Sequence, residues 1–289
     1  ETFINHKFQE KRMEKTPKLN YRIPKRVIAP LEGEDAREIY ESVPEFLRVS
    51  TIYDADRKAV IGSTNLLAVG VDDAVQPFGF RTLSLADLSL PEVMDFVRGR
   101  YYTDSRTLVA RSAQDNDYQR NNDLLKKINE LVEEKEGSVK FPFMIEGFSY
   151  VPEESGSYKA VITPKPDFRI IHDERLSGKY NGKEFTNVDK IGLPLFDKNG
   201  LRTWYARDSG LSRAYLDNGL VLNSSNRSLD SSNDIGRVVI VSAEGAAFEN
   251  SQGELIAKIS QEYKTQLDEL NARRTEAEKA VSEIMSRKN

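Results

Sequence analysis

Cysteine is absent from this sequence and histidine nearly so: only His6 and His172 occur in 289 residues. Without thiols there is no disulfide scaffold, thiolate metal site, iron–sulfur cluster or cysteine nucleophile. Two histidines leave any zinc site dependent on carboxylates, an uncommon donor set. Long apolar runs are missing too. Pieces such as Val238–Val241 fall far short of the roughly 20 residues that a membrane-spanning helix needs. The net charge of −4 gives no global attraction to nucleic acid or anionic membranes. Catalytic signatures are equally sparse. Gly62 and Gly70 fit neither phosphate-loop spacing, and no G-x-S-x-G elbow exposes a serine. Ser209 in "RDSGLSR" reads as part of a turn, and His172–Asp173 as the end of a surface strand. No cofactor is expected.

What is present is a soluble, globular balance, with 38% hydrophobic and 30% charged residues, and enough Phe (13) and Tyr (12) to build cores. The expected location is the cytoplasm or a virus particle, with no membrane span. The charge is uneven. Residues 1–27 hold eight Lys and Arg, among them Lys7, Lys11, Arg12 and Arg22, against three acids, with Pro17 and Pro24 interrupting them. That composition predicts an extended basic arm over 1–30, ordered only where it lies on something. Phe3, Phe8 and Tyr21 between the basic residues add a possible contact to a nucleic-acid backbone.

Residues 31–137 read as a mixed α/β domain. Ile39, Val43, Phe46 and Leu47 form one helical stripe that Pro44 interrupts. "KAVIGSTNLLAVGV" reads as two apolar strands around a turn at 62–65. "SLPEVMDFVRGR" has the signals of a helix start, with Ser89 as cap and Pro91 in the first turn. Leu124, Leu125, Ile128, Leu131 and Val132 keep helical spacing until Gly137.

From 138 to 245 the apolar segments are short and bounded by turn residues, which predicts an antiparallel β-rich domain of sandwich or barrel type. Between Asp217 and Gly236, 14 of 20 positions are Gly, Asn, Asp or Ser, yet Leu222, Leu229 and the run Val238–Val241 would leave apolar surface in water if this were a linker. Asn218-Gly219 between apolar runs signals a hairpin, with a type I′ turn. Asp197–Gly200 is read as a four-residue turn between apolar-rich arms. From Glu254 to Asn289 there is neither Gly nor Pro, so 246–289 reads as a long amphipathic helix. Ile256, Tyr263, Leu270 and Ile284 recur at multiples of seven, as on a helix that packs against its own domain, a neighbouring subunit or a coiled-coil partner. The expected fold class is therefore α+β: a mixed α/β N-terminal half, a β-rich middle and a long C-terminal helix.

Candidate chemistry rests on acids. Asp72-Asp73, Asp115/Asp117, Asp173-Glu174 and Asp230/Asp234 cluster in sequence. Asp217, Asp230, Asn233 and Asp234 offer the oxygen donors that calcium prefers, but in the wrong register for an EF-hand. Trp204-Tyr205 is a candidate sugar platform, although a lone tryptophan is more often core. The leading expectation is a non-enzymatic structural or assembly protein that forms a homo-oligomer, such as a building block of a virus or phage particle, tail or filament. Its partners would be copies of itself, met through Lys7, Lys11, Arg12, Arg22, Ile256, Tyr263, Leu270 and Ile284. Alternatives are a glycan- or calcium-binding β-domain and a metal-dependent hydrolase.

Overall fold

Local signals shape the first third of the chain. A computed structural model describes residues 28–154 and 156–242. The basic arm and the C-terminal helix, with the interaction residues expected on them, lie outside the described residues. Strand β1 (Ile28–Pro30) leads into helix α1 (Glu34–Ser42), which Pro44 stops. Ile39, Val43 and Leu47 are buried, as their stripe predicts. Strands β2 (Ile52–Asp54) and β3 (Ala59–Ile61) pair as a small hairpin. The next apolar run is a helix, α2 (Asn65–Val75), where a strand was expected. Thr64 decides it: its Oγ1 accepts the Leu67 N–H at 3.0 Å, and such a cap satisfies an orphan donor of the first turn. Because α2 is buried almost all round, its sequence shows no amphipathic period to distinguish it from a strand.

Strand β4 (Phe80–Thr82) and helix α3 (Pro91–Val97) follow. Pro91 takes the first helical turn, but the Ser89 hydroxyl accepts a hydrogen bond from Arg202 Nη1 and does not cap α3. After β5 (Thr103–Ala110), helix α4 (Asn122–Glu136) ends where Gly137 turns left-handed. The remaining strands are β6 (Phe143–Pro152), β7 (Ala160–His172), β8 (Lys183–Val188), β9 (Pro194–Phe196), β10 (Arg202–Ala206), β11 (Leu211–Leu216), β12 (Leu222–Ser224) and β13 (Val239–Ser242).

These strands correct the expected fold class. There is no separate β-sandwich or barrel. A single mixed sheet of eight strands, in the order β7-β6-β5-β11-β12-β10-β8-β9, runs through the body, and β5 from the N-terminal half lies near its middle. The pair β10–β12 is parallel and the others are antiparallel. A second sheet, β1-β13-β4, is antiparallel. The long C-terminal helix has no counterpart among the described residues.

The physical reason is two-sided burial. Leu108 and Ala110 of β5, with Phe143 and Ile145 of β6, face a core shared with α1, α2 and α4. Val109 and Met144, one residue out of step, face a second core with Leu88, Val93, Phe185 and Trp204. A sheet covered on both faces needs strands that are buried throughout, and such strands carry no marker of the sheet they will join. Strand β13 touches both cores, Ile240 in the first and Val239 and Val241 in the second. The turn expected at Asp197–Gly200 is present. Its closing bond, from Gly200 N–H to Asp197 O, is present at 3.0 Å, but β9 and β10 do not pair, because β8 lies between them.

Strand β7 runs through Pro164 and Pro166 because it is an edge strand, where a missing N–H breaks no ladder. There β7 bulges, its residues 165–168 lying opposite Gly147 alone in β6; Gly147 has φ +73°, and a Cβ on it would lie 2.5 Å from the Asp167 carbonyl oxygen. Among the described residues, no helix is long and apolar enough to cross a membrane.

Candidate functional site

Two places in the body stand apart from ordinary core: the corner where the chain enters and leaves, and a polar cleft beneath the Asn- and Ser-rich loop. At the corner, β1 and β13 pair antiparallel with Ile28 opposite Val241. The segments that precede Ile28 and follow Ser242 therefore depart from adjacent strand positions.

The cleft begins with a hairpin. Strands β11 and β12 pair through Tyr215–Asn223 and Leu216–Leu222, joined over 217–221. Asn218-Gly219 mark the turn as expected, but the positive φ falls on Leu220 (+61°), so it is not a type I′ turn. The Asp217 Oδ1 holds the loop by accepting the Gly219 and Val221 N–H groups at 2.9 and 3.0 Å. Beyond β12 the chain returns over the first third of the molecule. Ser232 fastens it: its hydroxyl lies 2.7 Å from the Tyr102 hydroxyl and accepts the Ser63 N–H at 2.7 Å. Gly236 permits the approach, since a Cβ there would lie 2.4 Å from Ser63 N.

Between the hairpin and this returning loop lies a cleft of about 320 Å³, lined in part by Tyr102, Arg213, Tyr215, Asn218, Asn226 and Asn233. Arg213 and Tyr215 alternate along β11 and so share its face. In the β5–β11 pairing Arg213 stands opposite Leu108 and Tyr215 opposite Asp104, a bulge in β5 that changes the register. Arg213 Nη1 donates to Asp104 Oδ2 at 3.0 Å and to the Ser63 carbonyl at 3.3 Å. Both residues are buried. The pair is not closed, since Arg213 Nε and Asp104 Oδ1 are buried without a partner. Burial pushes the Asp104 carboxyl up despite the charge of Arg213. Burial likewise pushes the Tyr215 hydroxyl up to about 12. The guanidinium stands 5.2 Å from the Tyr215 ring centroid, and the Tyr102 and Tyr215 rings meet edge-on at 5.9 Å.

Three of the four expected calcium ligands, Asp217, Asp230 and Asn233, spend a side-chain oxygen on other bonds. Asp217 caps the hairpin loop. Asp230 is buried and bonded to Arg120 and Ser228. Asn233 Oδ1 accepts the Ile235 N–H, and the Asp234 carbonyl accepts from Arg237. Among the described residues, no group of three or more His, Asp or Glu is placed to share a metal. Of the four, only Asp217 and Asn233 line the cleft. His172 meets Glu136 at 2.8 Å on the surface. Trp204 lies in the core, while Tyr205, its neighbour in the strand, points outward at 40% exposure.

Sequence reasoning missed Tyr102, Arg213, Tyr215 and Asp104. The alternation Arg213, Tyr215, Asp217 ahead of Asn218-Gly219 was a usable local signal for one polar strand face. Nothing local marks Asp104, because its partner lies more than a hundred residues away.

The other acidic clusters serve structure. Asp72 takes Arg106 and Lys165 at 3.2 and 2.7 Å, and Asp87 forms a buried pair with Arg81 while accepting from Ser84 N–H and Oγ. Burial alone would raise both carboxyls. Arg106 with Lys165 in one case, and Arg81 with Ser84 in the other, more than reverse it, so both lie below the usual carboxylate value. The stability they add is present above the unfolded pKa, about 4, and is lost as pH falls through their lower folded values. Melting temperature should therefore fall on acidification below about pH 4. The fall should be shallower in Asp87→Asn, and calorimetry across pH measures both slopes; equal slopes would refute a depressed Asp87.

No family model, no curated protein and no solved structure matches this chain.

Proposed function

We propose that this protein is a non-enzymatic assembly component that works as a homo-oligomer, a rigid body that meets copies of itself through its two terminal segments. The observation that carries the reading is the pairing of Ile28 with Val241. It sets the first and last described strands side by side in the small sheet, so the chain enters and leaves the body at one corner. Two features of the sequence support it. Ile256, Tyr263, Leu270 and Ile284 recur at multiples of seven with balanced charges around them, as on a packing helix. Lys7, Lys11, Arg12 and Arg22 suit an arm that lies on an acidic neighbour or on phosphate. The body adds a third point, since its clustered acids are bonded to arginine, lysine and backbone and do not converge on one cavity. A shell, tail or filament is the kind of assembly that such a layout serves.

Sedimentation of the full chain over a range of concentrations tests the reading. The native protein should run well above its 32.8 kDa monomer mass. A Leu270→Lys, Ile284→Lys double variant should return it toward that mass, because two charges on an apolar seam oppose association. A native chain that stays monomeric at the highest concentration would overturn the proposal.

A further inference from the structure

We propose that the cleft between the 217–221 hairpin loop and residues 226–235 binds one neutral, polyhydroxylated ring, a hexose unit of a glycan. The inference is independent of self-association. A site must first leave polar groups unused, and this one does. Arg213 lines the cleft with Nη1 engaged by Asp104 and Ser63, while its Nη2 bonds to no described group. The Tyr215 hydroxyl bonds to no described group. Asn226 and Asn233 spend their Oδ1 atoms on the Ser228 and Ile235 N–H groups, and their amide nitrogens bond to no described group. Asn218 adds a whole side-chain amide, and Asp217 keeps Oδ2 as a free acceptor, its Oδ1 being used. Unsatisfied groups of this kind are expensive to leave bare in a partly enclosed site, so a ligand with many hydroxyls gains by pairing them.

The charge balance selects against an anion. The one guanidinium is already paired with Asp104, and Asp217 also lines the cleft, so a phosphate or carboxylate would gain little Coulomb energy and would meet a like charge. The ring geometry selects against a planar base. Tyr102 and Tyr215 stand at 70° to one another and offer no parallel slot, and Arg213 stands over the Tyr215 ring. Apolar ligands find Ile235 as the one aliphatic side chain of the lining. A sugar ring accepts these terms: its hydroxyls donate and accept, and its C–H edge rests on a tyrosine. The volume, about 320 Å³, lies at the small end of ligand pockets and suits one ring. The rim is already fixed by the bonds of Ser232 to Ser63 and Tyr102, so little ordering opposes binding.

Saturation-transfer NMR on the full chain tests this with methyl glycosides of glucose, galactose, mannose and N-acetylglucosamine. Glucuronate and inorganic phosphate serve as anionic probes. Two variants remove cleft groups that no fold contact uses, Tyr215→Phe and Asn218→Ala. At least one glycoside should receive saturation, and each variant should weaken it about tenfold, the loss of one well-made hydrogen bond. No transfer to any glycoside, transfer confined to glucuronate or phosphate, or binding that neither variant changes would each overturn the proposal.

Discussion

Asp115→Ala should destabilise the protein by about 3–5 kcal/mol, the cost of breaking a buried ion pair by removing one partner. Asp115 is wholly buried, and its carboxylate accepts five hydrogen bonds. Arg207 grips both oxygens at 2.8 Å, Asn121 Nδ2 and the Leu211 N–H reach Oδ2, and the Tyr118 N–H reaches Oδ1. Alanine would strand the Tyr118 and Leu211 N–H groups and leave the Arg207 charge with the Leu211 carbonyl, at 3.1 Å, and Asp117, at 3.6 Å and largely exposed. The damage would spread, because Asn121 also bonds to the Leu211 and Arg227 carbonyls and to Tyr158. Asp115→Asn should be nearly as harmful, since its amide hydrogens would face a guanidinium. Urea denaturation followed by circular dichroism measures both. A loss below about 1 kcal/mol, typical of an exposed pair, would mean that the hub does not form as described.

The same residue shows what could and could not be read from the chain. Asp115/Asp117 stood out as an acidic cluster, like Asp72-Asp73, Asp173-Glu174 and Asp230/Asp234. Each contains an acid bonded to a cation: Asp72 to Lys165, Asp115 to Arg207, Asp173 to Arg175 and Asp230 to Arg120. Three of the four cations lie about ninety residues or more away, so the sequence shows the acid and hides what neutralises it. Local structure was legible because its causes are local. Gly137 ends α4, Pro44 ends α1, and Asn218-Gly219 bends the β11–β12 hairpin. Sheet membership was not. Strand β5 and strand β11 meet through Leu108–Arg213 and Val109–Ser212, and no periodicity in either one announces the other. Hence the two halves of the chain, distinct in composition, build one sheet. The cleft shares this limit: its loop was visible as a rim of Asn and Ser, while its floor needed a bulge in β5 to bring Asp104 to Arg213.

Trp204→Ala is the second large effect, with an expected loss of about 3–5 kcal/mol from the vacated volume and the lost transfer energy. Trp204 is fully buried on β10, in the core that also holds Leu83, Phe185 and Leu222. Its sequence neighbour Tyr205 points the other way, because successive side chains of a strand alternate, and this separation is why the pair forms no sugar platform. The indole Nε1 has no partner. Trp204→Phe removes that unsatisfied donor while keeping most of the ring, so its cost should be much smaller, about 1–2 kcal/mol. The contrast separates packing from polarity. If alanine and phenylalanine cost the same, lost volume is not what matters, and the second core is not filled as the burial of Trp204 implies. Because Trp204 is the sole tryptophan, both variants lack its fluorescence, and unfolding must be followed by circular dichroism.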